Sequence, residues 1–331
     1  MLVLSKSDVK KAVTMEQAIA AMETAFAAYS RGEAIVPVRT QLDVPRHEGT
    51  ALFMPGYLAG GDSEGLAVKI VSVYSRNQQK GLPTIFGVVV MNDPTTGRPK
   101  ALLEASYLTA LRTGAAGGAA ARHLARADAS ILAVIGAGTQ ARTQVAAVRA
   151  VRPIQEIRLF DINQDSARAF AQELAGDQGA TVTLRVAASP EEAVRGADVI
   201  VTATTAREPV IHGEWLSPGT HITAVGAFTP EMREIDANAL QRANKIVVDS
   251  REAAMEEAGD LIIPMEEGLL SVDDIYGELG EITGGTKPGR QNPDEITIFK
   301  SVGLAVQDVA IADLITAQAL KLGLGTEVSL E

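Results

Sequence analysis

The 331-residue chain contains no cysteine. That excludes disulfides, thiolate nucleophiles and cysteine-ligated zinc together. Histidine is scarce: His47, His123, His212 and His221 are scattered, without the HExxH spacing of a helix-borne zinc site, so no metal is expected. Positive charge is in deficit, with 30 Lys and Arg against 41 Asp and Glu and a formal net charge of −11. Such a surface repels phosphate backbones, and no nucleic-acid partner is expected. No apolar run reaches membrane-spanning length and the N-terminus lacks the apolar stretch of an export signal, which predicts a cytoplasmic protein with no membrane partner. What is present, 46% hydrophobic and 21% charged residues, is the composition of a globular protein of about two domains.

The first third of the sequence opens on a helix. Thr14 and Gln17 form a capping box, Met15, Ile19, Met22, Phe26 and Tyr29 recur at helical spacing, and Gly32 ends the run. Strand-like runs follow at 38–44, 50–54, 66–74, 84–91 and 99–103, separated by turn-rich pieces at 58–65 and 92–97. With no helix between them they predict a mainly antiparallel sheet. An Ala-rich helix spans about 106–126. From Ser130 onward strands and helices alternate, with strands at 131–135, 157–160, 182–186, 199–203, 221–225 and 246–248 and helices that include 163–174 and 190–195. This predicts a parallel, doubly wound sheet with a ligand crevice at the carboxyl ends of its strands. A strand at 296–299 and a helix over 301–322 close the chain. The fold class is therefore α/β, with a Rossmann domain (116–302) inserted into a discontinuous α+β domain (1–115 plus 303–331).

The strongest motif is Ile135-Gly-Ala-Gly-Thr-Gln-Ala141. Gly136 permits a tight turn out of the strand, Gly138 lets the backbone approach a pyrophosphate, and Ala141 keeps the helix close to the sheet. Thr139 and Gln140 open that helix, whose free N–H groups suit phosphate. Asp161 ends the next strand about 20 residues after Ala141, where the dinucleotide fingerprint requires a carboxylate for the ribose. Asp161 predicts NADH as the first cofactor, with NADPH second because Arg142 and Asn163 lie close by in sequence. Small residues at the ends of later strands, Thr202, Ala203, Thr204, Val225 and Gly226, are placed in the same crevice.

Three cations stand out in the first domain. Lys69 interrupts the apolar run Leu66–Val73; it either faces water on an edge strand or serves a buried purpose. Arg112 lies among small residues that allow close approach of a backbone or ligand, and a surface salt bridge would explain it equally well. Arg39 alone reads as surface.

Val38-Arg39, Phe53-Met-Pro55, Leu66-Ala-Val-Lys-Ile-Val71, Ala110-Leu-Arg-Thr-Gly-Ala-Ala116, the fingerprint, Ala224-Val-Gly-Ala227 and Phe299-Lys-Ser-Val-Gly-Leu-Ala305 resemble the ornithine cyclodeaminase/mu-crystallin family in order and separation. The resemblance covers nearly the whole chain. It implies that Arg39, Lys69 and Arg112 grip a substrate carboxylate and that Thr113 and Ser301 lie with the cofactor; Lys69 is also the candidate catalytic group, able to protonate a substrate nitrogen that solvent could equally protonate. It also implies a homodimer paired through the N-terminal sheet domain. The family spans cyclodeaminases, alanine-type dehydrogenases, ketimine reductases and mu-crystallin-like binding proteins. In the cyclodeaminases an aspartate follows the Val-Gly pair and a glutamate precedes the Met-Pro pair by a short step; here Phe228 and Leu52 hold those places. Losing both carboxylates removes proton handling for an amine and leaves reduction of a cyclic ketimine as the expected reaction, with Phe228 a wall against the imine ring. That expectation needs no side-chain acid in place of Phe228; Glu231 or Glu104 would be the substitute acids if one were required.

Overall fold

A computed structural model describes residues 1–60, 63–176 and 182–330. The chain divides into two compact units, Met1–Arg112 with Leu304–Glu331, and Thr113–Gly303. In chain order the first unit contains β1 (Leu2–Leu4), α1 (Lys6–Ala12), α2 (Met15–Ser30), β2 (Ala34–Ile35), β3 (Thr40–Val44), β4 (Gly49–Gly60), β5 (Ser63–Tyr74), β6 (Ile85–Asn92) and β7 (Pro99–Glu104). Helix α3 (Ala105–Leu124) follows, and the unit boundary falls within it. The second unit contains β8 (Ile131–Ile135), α4 (Thr139–Val151), β9 (Glu156–Phe160), α5 (Gln164–Ala175), β10 (Thr183–Val186), α6 (Pro190–Val194), β11 (Val199–Thr202) and β12 (His221–Ala224). It continues with α7 (Ala237–Arg242), β13 (Lys245–Val248), α8 (Arg251–Glu257), α9 (Gly259–Glu266), β14 (Ile275–Glu278), α10 (Leu279–Thr283) and β15 (Thr297–Lys300). The chain then returns to the first unit as α11 (Ala305–Leu322) and β16 (Thr326–Glu327).

In the first unit the strands run β16-β1-β7-β6-β5-β4-β2, with β3 on β4. The pairing is antiparallel except for β1 on β7. The sheet is thus more extensive than the sequence suggested: β1, β2 and β16 are too short to show a pattern. The piece read as a turn at 58–65 is mostly strand, because β4 and β5 pair as far as Gly60 and Ser63, while Gly61 and Asp62 lie outside the described residues. Residues 38 and 39, read as strand, precede β3. Helix α2 begins as expected, with the Thr14 hydroxyl accepting from the Gln17 backbone N–H and the Gln17 side-chain Oε1 accepting from the Thr14 N–H.

Strand β5 lies between β4 and β6, and its alternation sends Gly65, Ala67 and Lys69 to a buried face. Helix α11 packs on that face. A Cβ at Gly65 would stand 2.6 Å from Cγ1 of Val309, so glycine here sets how close α11 comes to the sheet.

The second sheet runs β10-β9-β8-β11-β12-β15-β13-β14, parallel throughout. It has the doubly wound order around β8, where the chain reverses direction across the sheet between β8 and β11. One face packs Leu132, Val134, Ile157, Leu159 and Val201 against α4 and α5 residues such as Val145 and Phe170. The other packs Ile135, Ile200, Ile222 and Val248 against Leu240 and Leu261. Strand β14 escaped the sequence reading, and 301–304 precede α11 rather than beginning it. Among the described residues no helix is long and apolar enough to cross a membrane.

Substituting Gly65→Ala should push α11 off β5. Thermal or denaturant unfolding is expected to show a loss of about 1–3 kcal/mol, the usual cost of overpacking; unchanged stability would mean that α11 is not held at this distance.

Candidate active site

In the first unit the structure gathers a charge cluster. Lys69 is 2% exposed, in the middle of the sheet, which removes the edge-strand reading. Its cross-strand neighbours are Met54 and Val89, neither of which can neutralise it. Its partner is Asp308, from the first turns of α11, with Nζ 2.6 Å from Oδ2. The other Asp308 oxygen accepts from Nε of Arg112 at 3.1 Å. Gln307 accepts from NH1 of the same guanidinium at 2.6 Å, leaving Gln307 Nε2 buried without a hydrogen-bond partner. Arg112 is 6% exposed, so the surface salt-bridge reading fails as well. Arg39, half-buried, is close enough that its charge acts on Lys69. Burial pulls the Lys69 ammonium down to about 8, against the pull of Asp308 and with the repulsion of Arg112 and Arg39.

Asp308 is the correction. The sequence reading supplied no carboxylate to this cluster, and the structure puts one at its centre. The available signal was a polar pair, Gln307-Asp308, inside the apolar helical run Ala305–Ile311. The acids named as alternatives are elsewhere employed: Glu104 accepts from the first N–H groups of α3, at Ser106 and Tyr107, and Glu231 accepts from the Thr229 hydroxyl at the surface.

In the second unit the fingerprint residues stand at the ends of adjacent strands. Gly136 has φ 102°, and a Cβ there would meet the Ala203 carbonyl at 2.5 Å. Gly138 is exposed, has no atom within 4 Å of an added Cβ, and starts α4 without a side-chain cap. Thr139 is exposed, Gln140 half-buried with Oε1 unpartnered, and Ala141 buried against the sheet. Asp161 accepts from the Ala137 N–H at 2.7 Å and the Asn163 N–H at 2.8 Å. These residues fit a dinucleotide: an open glycine, uncapped helix N–H groups and a ribose-height carboxylate at one end of the sheet. Asn163 caps α5, accepting from the Asp165 and Ser166 N–H groups. Arg142 is engaged by Glu173 and the Ala137 and Gly138 carbonyls and stacks on Phe170. Thr113 is buried, and its carbonyl accepts from Gln144.

Thr202, Ala203 and Thr204 end β11, and Val225 and Gly226 end β12. Buried Glu234, absent from the sequence reading, ties these ends together. One oxygen accepts from the Thr204 N–H and hydroxyl, at 2.7 and 2.8 Å; the other accepts from the Gly226 and Ala227 N–H groups, at 2.8 and 3.1 Å. Burial pushes its carboxyl up, opposed by Lys300. Lys300 itself reaches Asp260 at 2.7 Å and the Ala227 carbonyl at 2.5 Å. Phe228, next along, is 45% exposed. Ser301 is buried and donates to Asp249 at 2.7 Å. Among the described residues no group of acids and histidines could hold a metal ion.

Against known proteins, residues 1–322 match the ornithine cyclodeaminase/mu-crystallin family. The chain belongs to that family. A Delta(1)-pyrroline-2-carboxylate reductase of Bacillus cereus (strain ZK / E33L) is 44% identical over 328 residues, 99% of each chain. The structure of Thermococcus litoralis Delta(1)-pyrroline-2-carboxylate reductase in complex with NADH and L-proline has a TM-score of 0.93 and 47% identity, over 99% of this chain and 100% of that one. An archaeal alanine dehydrogenase dimer with bound NAD has a TM-score of 0.91 and 39% identity, over 100% and 99%.

Glu234→Gln keeps one acceptor but turns an amide donor toward N–H groups. It is expected to cost about 1–3 kcal/mol of stability and to raise the KM of the nicotinamide cofactor more than that of the other substrate. Equal effects on both would remove Glu234 from the crevice.

Proposed function

We propose that this family member is an NADH-dependent reductase of cyclic ketimine carboxylates, taking pyrroline-2-carboxylate or piperideine-2-carboxylate to L-proline or L-pipecolate. The observation that carries the reading is a charge imbalance. Lys69 and Arg112, two buried cations, share one buried carboxylate, and Arg39 lies near enough for its charge to act on Lys69, so the cluster suits an anionic substrate. Arginine presents a planar fork to a carboxylate, and a desolvated setting strengthens the bonds. Reduction of C=N adds a hydride to carbon and a proton to nitrogen. NADH, when bound, supplies the hydride. Lys69 supplies the proton and regains one from solvent; its ammonium, drawn down to about 8, is charged at neutral pH yet releases its proton more readily than an ordinary lysine. Phe228 offers no acid or base, which disfavours cyclodeamination; its exposed ring is assigned to the wall against the imine.

Gly136, Gly138, Thr139, Gln140, Ala141 and Asp161 are assigned to the cofactor, with Thr113, Asn163, Thr202–Thr204, Val225, Gly226 and Ser301 completing the crevice. Asp161 repels a 2′-phosphate, and Arg142, already engaged, does little to offset it, which supports NADH over NADPH. A homodimer through the first sheet is supported by its second face, where Phe53, Val68, Ile70, Val88 and Phe86 lie together half-buried or exposed.

The test is loss of NADH absorbance. Either cyclic imine should be turned over faster than pyruvate with ammonia; the reverse order indicates an alanine-type dehydrogenase, ornithine-dependent ammonia release a cyclodeaminase, and binding without turnover a mu-crystallin-like carrier. Rates should fall as pH rises through about 8, because the charged form of Lys69 is required. Arg112→Lys retains charge but loses the fork, and should raise the imine KM roughly tenfold or more with the NADH KM little changed. Asp161→Ser should raise NADPH use, and an unaltered cofactor preference would remove Asp161 from the selection.

A further inference from the structure

We infer that Asp308 is the positioning residue of this site: one carboxylate holds Lys69 as the proton donor and Arg112 as the carboxylate clamp in fixed register. The inference rests on the ketimine-reductase reading and adds to it the group that makes the lysine usable. The geometry is specific. Oδ2 of Asp308 takes Nζ of Lys69 at 2.6 Å, and Oδ1 takes Nε of Arg112 at 3.1 Å. All three side chains are nearly or fully buried. The contact with Arg112 uses Nε and Gln307 takes NH1, on opposite edges of the guanidinium, and its remaining N–H donors are left for a substrate carboxylate.

The charges around Lys69 come from different parts of the chain: Asp308 from α11, Arg112 from α3 and Arg39 from the segment before β3. The strands on either side, β4 and β6, face it with Met54 and Val89. Asp308 is therefore the counter-charge that keeps Lys69 protonated against burial and two neighbouring cations. Without it burial and the neighbouring cations would draw the lysine down further, and less of it would carry the proton that the imine nitrogen needs. The same charge moderates the attraction for a substrate anion, and an amide oxygen in its place can still accept from Arg112, so neutralising it should not weaken imine binding. A brace whose loss simply loosened the fold would weaken binding and turnover together.

The experiment is Asp308→Asn, which keeps the shape and one acceptor oxygen. The alkaline limb of kcat should move at least one pH unit lower, a roughly tenfold loss above the limb, while the imine KM stays level or falls. Activity should return toward wild type at lower pH, which also shows that the variant is folded. Asp308→Glu, which preserves the charge, should keep the alkaline limb near its original position. In the unliganded protein labelled with 13C-lysine, the Lys69 Cε resonance, identified by its absence in Lys69→Arg, should titrate at lower pH in the Asn variant. An unmoved limb with an unmoved Lys69 titration, or a rise in imine KM matching the fall in kcat at every pH, overturns the inference. If the wild-type protein reduces neither imine, the reading of the reaction fails, and the Lys69 titration alone still decides the role of Asp308.

Discussion

One carboxylate bound by two cations inside the first unit is the constraint on which the site depends. A buried ammonium or guanidinium is costly without an anion, and Lys69 and Arg112 each have Asp308. Removing one member of such a set leaves a charge uncompensated in a place that water does not reach. The arrangement sets two buried cations against one shared carboxylate.

The second unit solves a different problem with similar means. Parallel strands expose their carboxyl ends at one edge, and the loops leaving them must be stiff enough to define a crevice. Glu234 stiffens two of them at once by accepting from N–H groups beyond β11 and β12, and Asp260 in turn accepts from the Glu234 and Ile235 N–H groups. Lys300 joins the set from β15. Buried acids thus serve both units, in one by organising cations and in the other by organising backbone.

The dinucleotide half was legible in the sequence because its signal is local. Gly136, Gly138, Ala141 and Asp161 occupy one β–α–β stretch, so spacing alone carries the geometry. The Thr14–Gln17 capping box and most strands were legible for the same reason. Lys69 was visible only as an oddity in an apolar run, and its two readings could not be separated until β5 was seen inside the sheet. Asp308 lies 239 residues away from it, and nothing in local periodicity connects them. Glu234 was hidden likewise: three of its four donors are backbone N–H groups, of Thr204, Gly226 and Ala227, which leave no trace in side-chain patterns. Of the strands that went unread, β1, β2 and β16 have two or three residues each, too few for an alternation to appear, and β14 has four.

The division of the chain has a consequence for its synthesis. Every residue of the second unit lies between Thr113 and Gly303, so that unit has its full complement of partners before the last stretch is translated. The first unit does not, since α11 closes over a sheet whose strands were made some 200 residues earlier. Until that helix emerges, Lys69 has no anion and the face of β5 has no cover. The nascent sheet of the first unit must therefore wait, open on one side, for α11 to finish it.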